Sequence, residues 1–299
     1  MKFADTAVPK ERYEENTQRL SKRHIWNKAF KGVCFGAMAF SVLMLLVLLI
    51  RILTQGIGYL DWGLVVNFAS RNAEDAGMLA ALAGTIWLMI VAAPLSFVLG
   101  VGTAVYLEEY APSNRFTNLL QTNISNLAGV PSVVFGLLGL TIFNRLMGLG
   151  ASVLAGGLTL SLLVLPIIVV ASREAINAVP TDVKQASYAM GATKWQTVFR
   201  IVIPTSLPGI LTGTILALSR AIGETAPILV IGALTFVAST PSGVFSNFTA
   251  MPVQIYNWTG RPQEEFHNIA AAGIIIILLM LFFMNSIAVF IRSKFQKRF

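Results

Sequence analysis

Six apolar stretches, at residues 32–53, 77–107, 124–143, 153–171, 207–237 and 269–291, constrain this chain more than any other feature. Each is near or above the ~20 residues with which an α-helix crosses the hydrocarbon of a bilayer. The chain is 55% hydrophobic and only 12% charged, with a mean hydropathy of +0.71, which excludes a water-soluble globule. The expected fold is therefore an all-α integral membrane protein with six transmembrane helices. The first run lies behind a long charged tail and is long enough to remain an anchor, so no cleavable signal peptide is expected.

The basic residues set the expected orientation. With six spans both tails lie on one side, and that side collects Lys2, Lys10, Arg12, Arg19, Lys22, Arg23, Lys28 and Lys31, then Arg115, Arg173, Lys184, Lys194 and Arg200, then Arg292, Lys294, Lys297 and Arg298. The other side keeps only Arg71, Arg145 and Arg261. This asymmetry places both termini and the loop at 182–204 in the cytoplasm. It also accounts for the net charge of +8 without a nucleic-acid partner, because the cations flank apolar runs and form no basic face. Cys34 is the only cysteine, so no intrachain disulfide or cysteine metal site can form, and His24 and His267 suggest no metal site.

Residues 182–204 are polar and amphipathic in an otherwise lipid-soluble chain. Ala186, Ala189 and Met190 share a helical face, Gly191 permits a sharp turn, and Trp195, Val198 and Phe199 follow at i, i+3, i+4. Two short helices around a glycine make a knob, suited to docking on a partner or to lying at the lipid interface. Gln185-Ala186-Ser187, Gly191 and Ile201-Val202-Ile203-Pro204 resemble the loop of ABC-importer permeases written EAA-x3-G-x9-I-x-L-P. The spacing fits at every anchor, with Gln185, Ser187 and Ile203 departing from the usual letters. A start at Glu174-Ala175 is rejected, because the required glycine would fall on Pro180.

Arg220 and Glu224 are the two ionisable groups away from the ends of the apolar runs, both in the fifth, four residues apart on one helical face. A charge at mid-bilayer costs at least ~2.5 kcal/mol, so that face should look into protein or an aqueous path. The pair either fixes helix packing or marks an anion route, in which the planar fork of Arg220 meets two oxygens of a tetrahedral oxyanion. Prolines 94, 131, 166 and 227 should kink their spans, and paired small residues such as Gly209 and Gly213 should let helices approach closely. The outer loops at 54–76 and 238–268 carry Tyr59, Trp62, Phe245, Phe248, Tyr256 and Trp258, as a landing surface or as interfacial anchors.

Arg220 with Gly223-Glu224-Thr225-Ala226-Pro227, together with Tyr106-Leu107-Glu108-Glu109-Tyr110 and Gly129-Val130-Pro131-Ser132, resembles the PstA-type permeases of bacterial phosphate importers. The resemblance covers about residues 79–237 and implies a type I ABC importer permease architecture with cytoplasmic coupling helices in the bacterial inner membrane. It implies a PstC-like permease, a PstB-like ATPase dimer and a PstS-like periplasmic phosphate-binding protein as partners, with phosphate as the solute. Arg220, Glu224 and Thr225 would line the substrate path, and Gln185, Ala186, Ser187, Met190, Gly191, Trp195, Ile201 and Pro204 would couple to the ATPase, with Trp195 and Phe199 anchoring the knob to the spans. No Gly-x4-Gly-Lys-Ser/Thr loop occurs, so the subunit is expected to be no enzyme and to hold no cofactor, ATP and Mg sitting on the partner. A sulfate or molybdate permease, a secondary transporter and a channel are the alternatives. The expected divisions are a cytoplasmic tail (1–31), a first transmembrane helix with its outer loop (32–78), a permease core (79–291) containing the coupling loop at 173–206, and a C-terminal tail (292–299).

Overall fold

The computed structural model describes residues 10–233 and 236–295. The chain divides into two units, Met1–Thr54 and Gln55–Phe299. In the first, helix α1 (Lys10–Gly56) runs through the basic segment and the first apolar run with no proline to interrupt it. Its 47 residues correspond to about 70 Å, more than twice a ~30 Å hydrocarbon layer, so the expected boundary at residue 31 is not a structural one.

The second unit is built around α3 (Leu79–Val105), α6 (Val153–Asn177), α9 (Ile203–Ile222) and α12 (Glu264–Phe295). The largest interface joins α3 to α6, and the next joins α6 to α9. Helix α6 is the centre: 67% of its most apolar stretch is buried inside the chain, against 17% for α12, whose remaining surface is left for lipid or a neighbouring chain. The α6–α9 contact follows from small residues on both sides. A Cβ on Gly213 would lie 2.4 Å from that of Ala171, and one on Gly209 would lie 2.7 Å from that of Ala175. Backbone-close approach of this kind maximises dispersion where water supplies no hydrophobic drive.

Two apolar runs are not the single spans expected. The third becomes α4 (Arg115–Leu127) and α5 (Ser132–Gly139), the latter continuing to Leu146 as a π-helical turn, with a 103° bend between the halves. Pro131 precedes the first turn of α5 and pushes Val130 out of helical backbone, so α4 ends before it. The fifth run is α9, a break at residues 223–225, and α10 (Ala226–Ile231), which Gly232 closes at φ +102°. Pro227 lacks an N–H and fits only the first turn of a new helix. Pro94 and Pro166, in contrast, lie inside continuous helices. Among the described residues five helices are long and apolar enough to span, and six spans result when the bent pair counts as one. Helix α12 also extends to Phe295, into the expected tail.

The two outer loops are largely folded into the body. Residues 54–76 contain α2 (Trp62–Val66), capped by Asp61, whose carboxylate accepts from the Leu64 amide at 2.8 Å. Residues 238–268 contain α11 (Met251–Thr259), whose first amide donates to Thr85 of α3 at 3.0 Å, and Ser152 and Asn247 form a bridge at the start of α6. Phe248 and Trp258 are fully buried, which removes them from any landing surface, whereas Trp62, Phe245 and Tyr256 are exposed.

The α6–α9 approach can be tested with paired alanines. Gly213→Ala should lower the thermal midpoint of the solubilised protein by the equivalent of about 1–3 kcal/mol, the cost of overpacking. Gly102→Ala, where a Cβ meets open space, should leave it unchanged or raise it slightly. Equal shifts in the two variants would mean that the close approach does not hold the pair.

Candidate functional site

The knob is a pair of short helices with a defined hinge. Helix α7 (Thr181–Ala189) is followed by Met190 and by Gly191, at φ +81°, a conformation that costs any residue with a Cβ. Thr193 then opens α8 (Lys194–Thr197) with a reciprocal capping box: its hydroxyl accepts from the Gln196 amide, and the Gln196 side-chain oxygen accepts from the Thr193 amide at 2.9 Å. Ser187, where the importer pattern has Ala, is buried, and its hydroxyl pairs with that of Thr197 at 2.9 Å, tying the two helices together. Gln185, Ala186 and Gly191 are exposed, and Met190 is 88% exposed, so the expected contact face is open.

The anchoring residues differ from those expected. Trp195 and Phe199 stack on each other with centroids 3.8 Å apart and remain exposed. Thr197, Val198 and Val202 are buried instead, Val202 within a cluster that includes Ala104, Leu107, Ile176 and Ile210. The β-branched residues on the adjoining face fill this interface, and the aromatic rings lie outside it.

Ile201, Ile203 and Pro204 mark the junction between knob and span. From Val198 to Val202 the helix widens to a π turn, and the Ile203 amide reaches back five residues to the Val198 carbonyl. Pro204 removes one i→i−4 bond and crowds the carbonyl of Arg200, and the wider turn absorbs both effects. The result is one uninterrupted helix of 29 residues, Lys194–Ile222, about 43 Å long.

At its far end lies the charge pair. Arg220 is in the last turn of α9, and Glu224 lies just beyond the helix, so neither sits in the middle of a span as expected. The Arg220 Nε donates to Glu224 Oε1 at 3.2 Å; the Arg220 side chain is 57% exposed and that of Glu224 15%. Glu224 thus holds one edge of the guanidinium while the other nitrogens face outward. Thr225 stands at the N-terminal end of α10, its carbonyl accepting from Leu229 at 2.9 Å. The break is backed by α5, where a Cβ on Gly136 would lie 2.8 Å from the Pro227 Cα, and Asn144 donates to the Ile231 carbonyl at 2.9 Å.

Four further side-chain pairs were not legible as pairs in the sequence. Glu108 and Glu109, in the π-helical turn Tyr106–Tyr110 that ends α3, accept from Arg173 and Lys184, each at 2.5 Å. Between α9 and α12, Ser219 donates to Asn285 at 2.5 Å and Arg292 donates to Thr212 at 3.0 Å. Arg292, read as a tail cation, therefore turns inward against α9. The quoted Tyr106–Tyr110 motif was the available signal for the first two; nothing local marked the other two.

The fold defines the class. In solved structures the chain superposes on the MetNI methionine ABC transporter in its inward-facing form, with a TM-score of 0.58, 18% identity, and coverage of 74% of this chain and 98% of that one. A bacterial ABC transporter that imports the acidic polysaccharide alginate gives 0.55, with 16% identity and coverage of 73% and 80%. The chain has an ABC-importer permease fold. Residues 96–297 match the family described as the binding-protein-dependent transport system inner membrane component, and the chain belongs to that family as a multi-pass inner-membrane protein. Among relatives, a probable ABC transporter permease, YqgI of Bacillus subtilis, is 33% identical over 79% of this chain and 84% of its own length. The phosphate transport system permease protein PstA of Yersinia pestis is 29% identical over 91% and 93%, and PstA 1 of Mycobacterium tuberculosis (strain H37Rv) is 39% identical over 62% and 60%.

The hinge can be tested directly. Gly191→Ala should destabilise the knob by about 1–2 kcal/mol and Gly191→Asn by less, since Asn tolerates left-handed backbone. Hydrogen exchange of the amides at 181–197 should accelerate in that order, and identical exchange in all three proteins would refute a left-handed Gly191.

Proposed function

We propose that this chain is a permease subunit of an ATP-driven importer that moves inorganic phosphate inward across the bacterial inner membrane. The observation that carries the reading is the single helix from Lys194 to Ile222, with an importer-type docking knob at one end and an arginine-bearing break at the other. The phosphate assignment is supported by relatives named as phosphate transport permeases, one aligned along more than nine tenths of both chains. The guanidinium of Arg220, held on one side by Glu224, can offer its free nitrogens to phosphate oxygens, and Thr225 lies one residue further along the break.

The distribution of Lys and Arg supports a cytoplasmic placement of both termini and the knob. There the open face formed by Gln185, Ala186, Met190 and Gly191 docks on a PstB-like ATPase dimer that holds ATP and Mg, while Ser187 fastens the knob internally. Trp195 adds an exposed aromatic edge, and Ile201 and Pro204 carry the docking motion through the π turn into α9. A PstC-like permease completes the pathway, and a PstS-like protein delivers phosphate from the periplasm.

Uptake into proteoliposomes containing the four kinds of subunit tests this reading. Phosphate entry should require both ATP and the binding protein and should resist excess sulfate and molybdate. Arg220→Gln should lower uptake at least about tenfold, a loss of about 1.4 kcal/mol, in a complex that still assembles. Gly191→Trp should leave ATP hydrolysis running without uptake. Entry independent of ATP, or wild-type uptake in Arg220→Gln, would overturn the proposal.

A further inference from the structure

The end of α3 holds the knob and its root by three consecutive residues. Glu108 accepts from Arg173 in the last turns of α6, and Glu109 accepts from Lys184 in α7, both at 2.5 Å. Tyr110 presents its ring to Lys194, the first residue of α8, whose ammonium is 5.3 Å from the centroid. Three neighbours on one helix end thus reach three different elements, and the local π turn re-spaces them to do so. The Glu109 and Lys184 side chains are only 7% and 20% exposed, so this pair is not one of the solvated surface contacts that contribute almost nothing.

The chain itself connects the knob to α6 and α9. It reaches α3 only by way of α6, α5 and α4, and α3 shares the largest helix interface in the second unit and lies outside the importer loop motif. We propose that Glu108, Glu109 and Tyr110 form a strap that makes α3 move with the knob, and that the Glu109–Lys184 pair is its principal link. These are positioning residues: they touch neither solute nor nucleotide, and they act by passing the knob's displacement to a third span. The inference rests on the reading that the knob docks on an ATPase.

The test uses the assembled complex in proteoliposomes and asks for phosphate taken up per ATP hydrolysed. The pair Glu109→Gln with Lys184→Gln removes the link without leaving a lone buried charge, so assembly should persist, as checked by co-purification of the ATPase. Its uptake per ATP should fall about tenfold, and the exchange Glu109→Lys with Lys184→Glu should restore it to within about threefold. Spin labels at Tyr106→Cys and Tyr188→Cys, in a Cys34→Ser background, supply a readout independent of the solute. Their separation should stay constant between nucleotide-free and vanadate-trapped complexes when the pair is intact and should change in the Gln variant. An unaltered uptake ratio and separation in the assembled Gln variant would overturn the strap. If the wild-type complex took up no phosphate at all, the transport reading would fail, while the label separation would still decide whether α3 follows the knob.

Discussion

In hydrocarbon a peptide N–H or C=O without a partner costs several kcal/mol, so a helix can break there only where protein or water covers the break. Both breaks in this chain meet that condition from within. The turn between α4 and α5 carries its own bonds, from Gly129 to the Asn126 carbonyl at 3.0 Å and from Val130 to Leu127 at 3.1 Å. The turn after α9 does the same through Gly223 and Glu224, which donate to Arg220 and Ala221 at 3.1 and 3.2 Å. Side chains from α5 then cover α10, and Asn144 reaches across 87 residues to close its last exposed carbonyl turn. The two interrupted apolar runs depend on each other, which explains why the short helices α5 and α10 pack together despite their length.

This arrangement leaves α9, with the turns that precede it, as a continuous helix between the knob and the break. Its proline-bearing start would ordinarily interrupt such a path. The π turn at Val198–Val202 prevents that by relocating the missing bond, so that Ile-x-Ile-Pro acts as a splice between the knob and the span. The interface with α6 brings Gly209 and Gly213 close against Ala175 and Ala171, and beside them Ile210 packs in one cluster with Val169 and Ile176.

Hydropathy alone makes the membrane class and most spans legible, and the spacing around Gly191 locates the knob, whose turn takes a φ of +81°. The breaks were hidden because an apolar run averages over a turn of small apolar residues and a proline. The charge pair was found, but its depth was misjudged for the same reason: Arg220 looks central in a run of 31 residues and terminal once that run is cut at Gly223. Buried and exposed aromatics in an outer loop read alike. The pocket of the Phe248 ring is made by residues distant in the chain, Gly156 and Leu88 among them. Glu108 and Glu109 were visible as letters without partners, because Arg173 and Lys184 lie 65 and 75 residues away.

The partner of α9 on its other side is held differently. Ser219 and Thr212 are seven residues apart on α9, and Asn285 and Arg292 are seven apart on α12, so the two hydrogen bonds form successive rungs between antiparallel helices. A seven-residue step returns within about 20° to the same face, which lets both rungs form at once only in this register. A shift of α12 by one residue would break both and strand Arg292, whose Nε is already buried without a partner. Helix α9 is thus bounded on one face by a close backbone approach that needs glycine at 209 and 213, and on a neighbouring face by two hydrogen bonds that only this register forms. The glycine side sets how closely α9 approaches the central helix, and the polar side sets where along its axis α12 must stand.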